Sequence, residues 1–326
     1  MKKIGINGFG RIGRMLFRIL YNKSEYEVVV INDVAQPRVL AHLLQYDSIH
    51  GQFSNHVTYT DNSILIDNKE IFILQKSSIL DLSWKDFNVD IVFECTGQFK
   101  TRDENMLHIG SGAKNVILCC PPIKMEMPMI VLGVNHEILS EGHEIISNAS
   151  CTTNCAAPMI KLLDDEFGLE SAYVTTVHSY TSDQNLHDGV HVDLRRARSA
   201  TNSIIPTTTG AAKALSHLFP HIELGGCGIR VPVSNCSLID ITCFVKQRTD
   251  VCKINNLFER YSKNQIHRIL SYITDPIVSI DVKSSDFSCV FDSQLTYASG
   301  HMVKVVGWYD NEYGYCSRLV DLLSFF

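Results

Sequence analysis

The stretch KIGINGFGRIGR, residues 3–14, decides the fold of the first half of the chain. It begins with a short apolar run typical of a β-strand and continues with three glycines, Gly8, Gly10 and Gly13, in the spacing G-x-G-x-x-G. Residues 14–21 then place apolar side chains at helical spacing, which predicts a helix directly after the glycines. A strand, a glycine turn and a helix in this order predict a dinucleotide site, because the glycines let the backbone approach a pyrophosphate at the helix N-terminus.

A second predicted strand, residues 27–33, ends in the carboxylate of Asp33. This acidic strand end follows the glycines by about 20 residues, as the dinucleotide-binding pattern requires. Asp33 would accept hydrogen bonds from the adenosine ribose and would repel a 2′-phosphate, so the sequence favours NAD over NADP. A glycine-rich turn without a ligand is the alternative interpretation.

Further apolar runs extend this sheet. Residues 90–97 and 116–120 each read as a buried strand, and Thr96 and Gly97 would lie at the carboxyl edge of the parallel sheet, where cofactors bind. The alternation over residues 41–74 predicts short inserted antiparallel strands. Residues 1–150 are therefore predicted to form an α/β, Rossmann-type doubly wound parallel sheet that binds NAD.

A second informative stretch is SCTTNC, residues 150–155. It follows a short strand-like run and precedes a helical pattern, with Ser150 as the expected N-cap and Gly168 as the expected stop. Cys151 would lie in the first helical turn, where free N–H groups and the helix dipole favour an anion and lower a thiol pKa. Cys151 is then either a nucleophile or one more buried thiol, and the local sequence leaves both open. Pro158 is expected to kink the helix.

The pattern changes after Cys151. Residues 172–178, 237–244 and 302–310 alternate like half-buried strands, which predicts an α+β domain with a mainly antiparallel sheet over residues 151–311. The long polar segment 179–200 between the first two strands is expected to be functional or to form an interface. Residues 312–326 predict a helix that packs back on the first domain.

Bulk properties exclude several classes of function. The 326 residues suffice for about two domains, and the net charge of −6 gives no basic field for nucleic acid or an anionic membrane. No apolar run reaches the roughly 18 residues that span a bilayer. The eleven cysteines lack C-x-x-C spacing, which argues against a zinc site and for reduced thiols, so we expect a cytoplasmic protein without a metal.

A nucleophilic thiol needs a base and anion-binding groups. His178, at the end of a predicted strand, is the candidate base, although a structural histidine is the alternative. Thr181, Thr209, Gly210 and Arg230 follow in or after loops, and hydroxyls, backbone N–H groups and a guanidinium together form phosphate sites. The nearby arginines at 195, 196 and 198 could equally be a solvated charge run or form inter-subunit salt bridges.

Five motifs occur in order along the whole chain: NGFGRIGR (7–14), SNASCTTNC (147–155), TTVH (175–178), IPTTTGAAK (205–213) and WYDNE (308–312). With them the chain closely resembles the phosphorylating glyceraldehyde-3-phosphate dehydrogenase family. The resemblance implies NAD-dependent conversion of glyceraldehyde 3-phosphate to an acyl phosphate in glycolysis and gluconeogenesis. It also implies a homotetramer in which the second domain forms the subunit contacts and segment 179–200 helps close a neighbouring cofactor site.

The resemblance also implies roles for single residues. Cys151 would add to the aldehyde as a thiohemiacetal, and His178 would act as its base. The residues implied to bind the inorganic phosphate and the substrate phosphate are Ser150, Thr152, Thr181, Asp183, Arg196, Thr209, Gly210 and Arg230. Those implied or predicted to contact the cofactor are Gly8, Gly10, Arg11, Ile12, Gly13, Asp33, Lys76, Thr96, Gly97, Cys119 and Asn311. The sequence does not decide whether Arg195 or Arg196 reaches the anion pocket.

Some positions depart from the family pattern. Cys119 stands where serine is common, Lys76 where arginine is common, and Gly189-Val190 replaces a proline-containing pair in the long loop. Two other functions stay open: erythrose-4-phosphate dehydrogenase, in which water completes the thioester, and a redox-sensing binding protein without turnover. The TTTG run (207–210) favours the phosphorylating enzyme, because it supplies a pocket for the attacking phosphate.

Overall fold

A computed structural model describes residues 1–265 and 267–326, which form seven α-helices and sixteen β-strands. The helices are α1 Arg11–Tyr21, α2 Pro37–Gln45, α3 Arg102–Gly110, α4 Cys151–Phe167, α5 Gly210–Leu218, α6 Val251–Lys263 and α7 Tyr313–Leu322. The strands up to residue 150 are β1 Lys2–Asn7, β2 Tyr26–Asn32, β3 Val57–Tyr59, β4 Ser63–Ile66, β5 Lys69–Leu74, β6 Ile91–Glu94, β7 Asn115–Leu118 and β8 Ile145–Ser147. The later strands are β9 Leu169–Ser179, β10 Ile205–Thr207, β11 Glu223–Val231, β12 Ser237–Val245, β13 Leu270–Ile273, β14 Cys289–Asp292, β15 Tyr297–Ser299 and β16 Met302–Tyr309.

The chain divides into two compact units. The first comprises Met1–Ile130, His136–Ala149 and Cys316–Phe326, and the second comprises Val131–Asn135 and Ser150–Tyr315. The main boundary therefore falls between Ala149 and Ser150, at the turn that leads into α4. No helix in the described residues has the length and apolar character needed to cross a membrane.

The first unit is built on a sheet with the strand order β3-β4-β5-β2-β1-β6-β7-β8. The strands from β5 to β8 pair in parallel, which confirms the predicted α/β, doubly wound sheet. β3 and β4 are antiparallel additions, as predicted, but the start of the predicted inserted region is wrong because residues 41–45 belong to α2. α2 starts at Pro37, whose fixed φ and missing N–H suit the first position of a helix.

Two glycines of the first turn are required by close packing. Gly8 has φ +91°, and a Cβ there would lie 2.7 Å from the backbone nitrogen of Thr96. A Cβ on Gly13 would lie 2.2 Å from the carbonyl oxygen of Gly8. Both distances are too short for any side chain, so the sequence GFGRIG brings the start of α1 directly onto the ends of β1 and β6.

The parallel strands are buried on both faces, so they read as continuous apolar runs rather than alternating ones. All four residues of β6 are buried, and one adjoining cluster contains Val30, Val92 and Trp84. Trp84 is fully buried, and its indole N–H donates to Nδ1 of His108 at 2.9 Å. Burying each large apolar side chain stabilises the fold by about 1.5–3 kcal/mol.

The second unit is built on a sheet with the order β10-β11-β9-β12-β16-β14-β13, with β15 paired to β16. The prediction of a mainly antiparallel sheet is confirmed, although β9 pairs with β11, and β13 with β14, in parallel. The sequence identified β9, β12 and β16 from their alternation. It missed β10, β11, β13, β14 and β15, because a run such as ELGGCGIRV in β11 has three glycines and little alternation. α4 packs on β9, β12 and β16.

Candidate active site

The site begins at the N-terminus of α4. Ser150 is the N-cap, and its Oγ accepts a hydrogen bond from the backbone N–H of Thr153 at 3.1 Å. Cys151 is the first helical residue, and Gly168 with φ +68° ends the helix. Both ends lie where the sequence predicts them, since cap residues act locally. The helix continues through Pro158, which has no N–H to donate to the carbonyl of Asn154.

His178 lies near the end of β9 and faces Cys151. The Cys151 Sγ and the His178 Nε2 are 3.6 Å apart, and the histidine is buried. The two residues are 27 positions apart in sequence, and the packing of α4 on β9 brings them together. This is a sulfur–imidazole pair at a hydrogen-bonding distance, the arrangement that transfers a proton from a nucleophilic thiol.

Burial decides the resting state of the thiol. It raises the pKa of the Cys151 thiol above its ordinary value, while the charge of Arg230 and hydrogen bonds from Thr152 act in the opposite direction without cancelling it. The expectation that the helix N-terminus lowers this pKa is therefore wrong for the structure without substrate. Removing a thiolate from water costs more free energy than the nearby hydrogen bonds and the Arg230 charge restore.

The histidine is held neutral by the same burial. Desolvation, followed by the neighbouring Arg230 charge, lowers the pKa of His178 to about 3, against smaller effects of the Ser179 carbonyl and Asp183. Its Nδ1 lies 2.7 Å from the carbonyl oxygen of Ser179 and 2.5 Å from Nη1 of Arg230. A carbonyl requires a protonated Nδ1 and a guanidinium an unprotonated one, so these two partners select opposite tautomers. Only the carbonyl-bonded tautomer leaves Nε2 free to accept the thiol proton.

Strand pairing explains how Arg230 reaches this pair. β11 runs parallel to β9 with Arg230 in register with His178. Its Nη1 also donates to the carbonyl of Ser179 at 3.1 Å. The charge of Arg230 acts on Cys151, His178 and Asp183, which places one cation between the thiol and the anion-binding cluster described next.

A cluster of polar side chains follows β9. The Thr181 hydroxyl donates to Asp183, and Arg196 Nη1 donates to the other oxygen of Asp183 at 2.6 Å. Arg196 also donates from Nε to the Thr207 hydroxyl at 2.9 Å and from Nη2 to the Thr208 carbonyl at 3.3 Å. Arg195 is exposed. The structure thus brings Arg196, rather than Arg195, together with Thr181 and Asp183.

The remaining predicted anion-binding residues lie at the starts of two helices that pack on each other, α4 and α5. Thr209 is the N-cap of α5 and accepts from the N–H of Ala211 at 3.2 Å, with Gly210 as the first helical residue. Thr152, in the first turn of α4, is hydrogen-bonded through its hydroxyl to the Tyr309 hydroxyl at 3.0 Å. Ser150 and Thr152 at α4, and Thr209 and Gly210 at α5, therefore lie where helix N–H groups favour an anion.

Tyr309 is a residue for which the sequence predicts no role. It is buried, its hydroxyl bonds Thr152 and Thr176 at 3.0 and 2.9 Å, and its ring centroid lies 6.0 Å from that of His178. Tyr309 therefore ties the first turn of α4 to β9. The WYDNE motif signals this position, but only a structure shows which side chains it joins.

The first unit carries all the predicted cofactor residues except Asn311, near the carboxyl ends of its parallel strands. Asp33 directly follows β2, and its Oδ2 accepts the N–H of Phe9 at 2.8 Å while Oδ1 accepts that of Ala35 at 3.0 Å. A carboxylate has about four lone-pair sites, so capacity remains for ribose hydroxyls. Ile12 lies in the first turn of α1 beside Arg11, which forms an ion pair of 2.6 Å with Asp47.

The glycine turn fits a pyrophosphate. Gly10 has an ordinary φ of −71°, and a Cβ there would meet no atom within 4 Å, so neither strain nor internal packing calls for glycine. No side chain caps the N-terminus of α1. Open space in front of helix N–H groups that no side chain caps is what a bound phosphate requires.

A buried hydrogen-bond network, which the sequence did not predict, supports the same edge. Glu94 ends β6 fully buried, and its Oε1 accepts from the Thr96 N–H at 2.8 Å and from the Thr96 hydroxyl. Its Oε2 accepts from Asn7 Nδ2 at 2.5 Å and lies 3.1 Å from His108 Nε2. Asn7 in turn accepts from Asn32 at 2.7 Å. The network joins the ends of β1, β2 and β6 and fixes the Thr96 turn.

The other predicted cofactor residues occupy the following positions. Gly97 has φ +66° in the turn after β6, and Cys119 follows β7 with its Sγ 3.4 Å from that of Cys95. Lys76 is exposed, and its backbone N–H donates to Asn32 at 3.0 Å. Asn311 belongs to the second unit, where its Oδ1 accepts from Ser179 and Ser237 at 3.0 Å each, which fixes the orientation of its amide.

Within residues 1–265 and 267–326, no three His, Cys, Asp or Glu side chains are grouped so that they could hold a metal ion. The chemistry available to the described site is thus that of a thiol, an imidazole and cationic or hydroxyl groups that bind anions.

Comparison with known proteins gives matches over nearly the whole chain. A family model described as "Glyceraldehyde 3-phosphate dehydrogenase, NAD binding domain" matches residues 2–102, and one described as "Glyceraldehyde 3-phosphate dehydrogenase, C-terminal domain" matches residues 150–311. "Glyceraldehyde-3-phosphate dehydrogenase 2" of Bacillus subtilis is 46% identical over 325 residues, covering 98% of this chain and 95% of that protein. The proteins named glyceraldehyde-3-phosphate dehydrogenase of Thermotoga maritima and Pseudomonas aeruginosa are 46% and 44% identical, covering 99% and 98% of this chain and 98% and 96% of their own lengths.

Proposed function

This chain belongs to the glyceraldehyde-3-phosphate dehydrogenase family, and we propose that it converts D-glyceraldehyde 3-phosphate, inorganic phosphate and NAD to 1,3-bisphosphoglycerate and NADH. The observation that carries this proposal is the Cys151–His178 pair at 3.6 Å, with Arg230 beside it and an arginine–threonine cluster following β9. A thiol, a base and cationic groups are what an aldehyde with a phosphate group requires.

The thiol and the imidazole carry the covalent steps. Nε2 of neutral His178 takes the proton of Cys151 as the sulfur attacks the aldehyde carbon, and His178 returns this proton to the carbonyl oxygen, so that the product is a thiohemiacetal. His178 then accepts the hydroxyl proton as the hydride leaves the same carbon, and a thioester remains. NAD, when bound, accepts this hydride. Inorganic phosphate attacks the thioester carbon, the C–S bond breaks as the proton held by His178 returns to the Cys151 sulfur, and the acyl phosphate leaves.

Binding the substrate phosphate would favour the active tautomer of His178. In the structure Arg230 Nη1 competes with the Ser179 carbonyl for Nδ1. A substrate phosphate that attracts the Arg230 guanidinium leaves the carbonyl as the partner of Nδ1, and Nε2 becomes the proton acceptor. Thr181 and Asp183 would complete the substrate-phosphate site, since Arg230 acts electrostatically on Asp183.

The attacking phosphate would bind at the helix starts. Ser150 and Thr152 at α4, Thr209 and Gly210 at α5, and Arg196 supply hydroxyl, backbone and guanidinium donors. Arg196 is oriented by Thr207 and Thr208, the first two threonines of the TTTG run. An oriented guanidinium fork suits a tetrahedral oxyanion better than a flexible ammonium group does.

Residues of the first unit would hold NAD. The N-terminus of α1 and Gly10 would receive the pyrophosphate, Asp33 the adenosine ribose, and Thr96, Gly97, Cys119 and Lys76 would line the carboxyl edge. Asn311 would orient the nicotinamide amide. The carboxylate of Asp33 supports a preference for NAD over NADP, because a 2′-phosphate would be repelled.

Substrate and phosphate dependence tests the proposal. NADH formation is measured with glyceraldehyde 3-phosphate and with erythrose 4-phosphate, each with and without inorganic phosphate, and with Cys151→Ala as the control. We expect triose oxidation that requires phosphate and disappears in the variant. Phosphate-independent turnover of the tetrose would move the assignment to erythrose-4-phosphate dehydrogenase, and no turnover with NAD or NADP would favour the redox-sensing alternative.

We place this reaction in glycolysis and gluconeogenesis and infer a cytoplasmic homotetramer. Four apolar side chains of segment 179–200 are highly exposed in the single chain (Leu186, Val190, Val192 and Leu194), and exposed apolar groups of this kind support a subunit interface. The eleven free cysteines suit a reducing compartment. Sedimentation equilibrium should give four times the 36.6 kDa subunit mass, and a monomer would contradict this assembly. Cell fractionation tests the location.

A further inference from the structure

Two thiols outside the Cys151 site lie side by side at the carboxyl edge of the parallel sheet. Cys95 follows β6 and Cys119 follows β7, and their sulfur atoms are 3.4 Å apart. The two strands are parallel neighbours with Glu94 in register with Leu118, so Cys95 and Cys119 are opposite each other one residue later. Neither residue has a role in the chemistry at Cys151.

The backbone of this pair suits a disulfide with little rearrangement. Adjacent strands lie about 4.8 Å apart, within the roughly 4.4–6.8 Å between Cα atoms that a disulfide needs. The two sulfur atoms have to approach each other from 3.4 Å to about 2.05 Å, which side-chain rotation and a small strand movement can provide. Both residues are partly buried and keep part of their surface exposed.

The adjacent thiol of Cys120 does not compete for Cys95. Cys120 packs against Val116 and Leu118 in an apolar cluster, whereas the sulfur of Cys119 lies beside that of Cys95. The structure therefore distinguishes two neighbouring cysteines. Cys119 faces Cys95, and Cys120 faces the apolar cluster.

We propose that Cys95 and Cys119 form a reversible disulfide and so constitute an oxidative modification site. The oxidant reaches the two thiols when the cofactor is absent, and bound cofactor covers them. With hydrogen peroxide as the oxidant, one thiol becomes a sulfenic acid as the O–O bond breaks and the first water leaves. The second sulfur attacks the sulfenic sulfur, the S–S bond forms, and the second water leaves. A dithiol reductant returns the two electrons and both protons.

The dependence on cofactor rests on the proposed function. Thr96, Gly97 and Cys119 are proposed to line the NAD site, so bound NAD would cover the pair. Closing the disulfide would remove the S–H of Cys119 and draw together the strand ends that carry the Thr96 turn. If NAD suppresses the disulfide, the disulfide must weaken NAD binding by the same factor.

The reduced pair is expected to react slowly. Burial, with the neighbouring Cys95 thiol, raises the pKa of Cys119 well above its ordinary value. The thiolate is the reactive form, so the pair is protected at low peroxide levels and responds to a sustained oxidant.

Peptide mapping tests the site in a full-length Cys151→Ser variant, in which the nucleophile cannot interfere. After peroxide treatment and tryptic digestion without reduction, we expect peptide 86–100 joined to peptide 115–124, with the mass lowered by two hydrogens. The link should persist in Cys120→Ser and disappear in Cys119→Ser. No link in the parent variant, or a link that survives Cys119→Ser, would overturn the proposal.

The effect of NAD on disulfide formation tests the proposed coupling between the disulfide and cofactor binding. NAD at about 100 times its Kd should slow linkage about 100-fold, because only about 1% of the protein remains unliganded. NADH binding, followed by fluorescence, should weaken on oxidation, recover with dithiothreitol and be insensitive to oxidation in Cys95→Ser. Linkage at an unchanged rate in saturating NAD would overturn the coupling. A reduced protein that binds no NADH would instead contradict the proposed function, while the linked peptide would still establish the disulfide.

Discussion

Cys151 Sγ lies 3.6 Å from Nε2 of His178, and desolvation raises the pKa of the thiol and lowers that of the imidazole, so both groups are expected to be neutral before substrate binds. This distinguishes the pair from a preformed thiolate–imidazolium ion pair. His178 acts as a base during the attack, and the substrate and its charges create the conditions for proton transfer.

Replacing His178 by Asn should lower kcat by about 10²–10⁴-fold, the usual contribution of a positioned general base. Asn retains a polar group of similar size, but its amide is too weak a base to accept the thiol proton. Steady-state NADH formation measures the effect, with the midpoint of thermal unfolding as the folding control. A kcat within a factor of about two of the parent value would exclude His178 as the base.

The pH dependence of thiol alkylation should report the buried state of Cys151. Iodoacetamide reacts with the thiolate, so the inactivation rate should rise with pH around a midpoint above the roughly 8.5 of a free cysteine. Arg230→Met should move the midpoint further upward, because the Arg230 charge favours the thiolate. The exposed Arg260→Met is the matched control, and a downward shift with Arg230→Met would contradict the account.

The dependence of kcat/KM on pH below 7 should reflect the low pKa of His178, and steady-state NADH formation measures it. Its pKa of about 3 means that the base stays unprotonated as the pH falls from about 7 to 5, so protonation of His178 should not reduce kcat/KM in that range. A histidine with an ordinary pKa near 6.5 would give an acid limb there.

Arg196→Lys should raise the KM for inorganic phosphate about 10- to 100-fold, because a charged hydrogen bond contributes about 1.5–3 kcal/mol and lysine cannot reproduce the fork. Single-turnover formation of the thioester should change much less. Arg195→Lys is a close control, since the Arg195 side chain is exposed next to it. Equal effects of the two substitutions would contradict the assignment of Arg196 to the anion site.

Glu94→Gln should raise the KM for NAD with little change in kcat. The glutamine amide would place an N–H group against one of the donors from Thr96, Asn7 or His108, and a buried unsatisfied group costs about 1–3 kcal/mol. Chemical denaturation should show this loss of stability. The exposed Glu70→Gln is the control, and an unchanged KM for NAD in Glu94→Gln would exclude a positioning role.

Features set by short-range chemistry were predictable from the sequence. The caps of α4 and the spacing of the three glycines depend on adjacent residues, and the structure explains two of those glycines by Cβ distances of 2.7 and 2.2 Å. The parallel and mainly antiparallel sheets followed from apolar runs and alternation. The glycine-rich β11 was missed because it lacks both patterns.

Features set by long-range packing were not predictable. The pKa of Cys151 was expected to fall because helix position is visible in sequence, whereas the burial that raises the pKa is visible only in the structure. The choice of Arg196 over Arg195 depends on Thr207, and the Cys95–Cys119 contact depends on strand register. In each case the deciding neighbour is more than ten residues away in sequence.

The central claim is that Cys151 forms a thioester that inorganic phosphate releases. Stopped-flow NADH formation with glyceraldehyde 3-phosphate and NAD, in the absence of phosphate, tests it most directly. We expect a rapid burst of at most one NADH per subunit, then near arrest, and full turnover when phosphate is added. Continued rapid turnover without phosphate, or a burst that persists in Cys151→Ala, would contradict it.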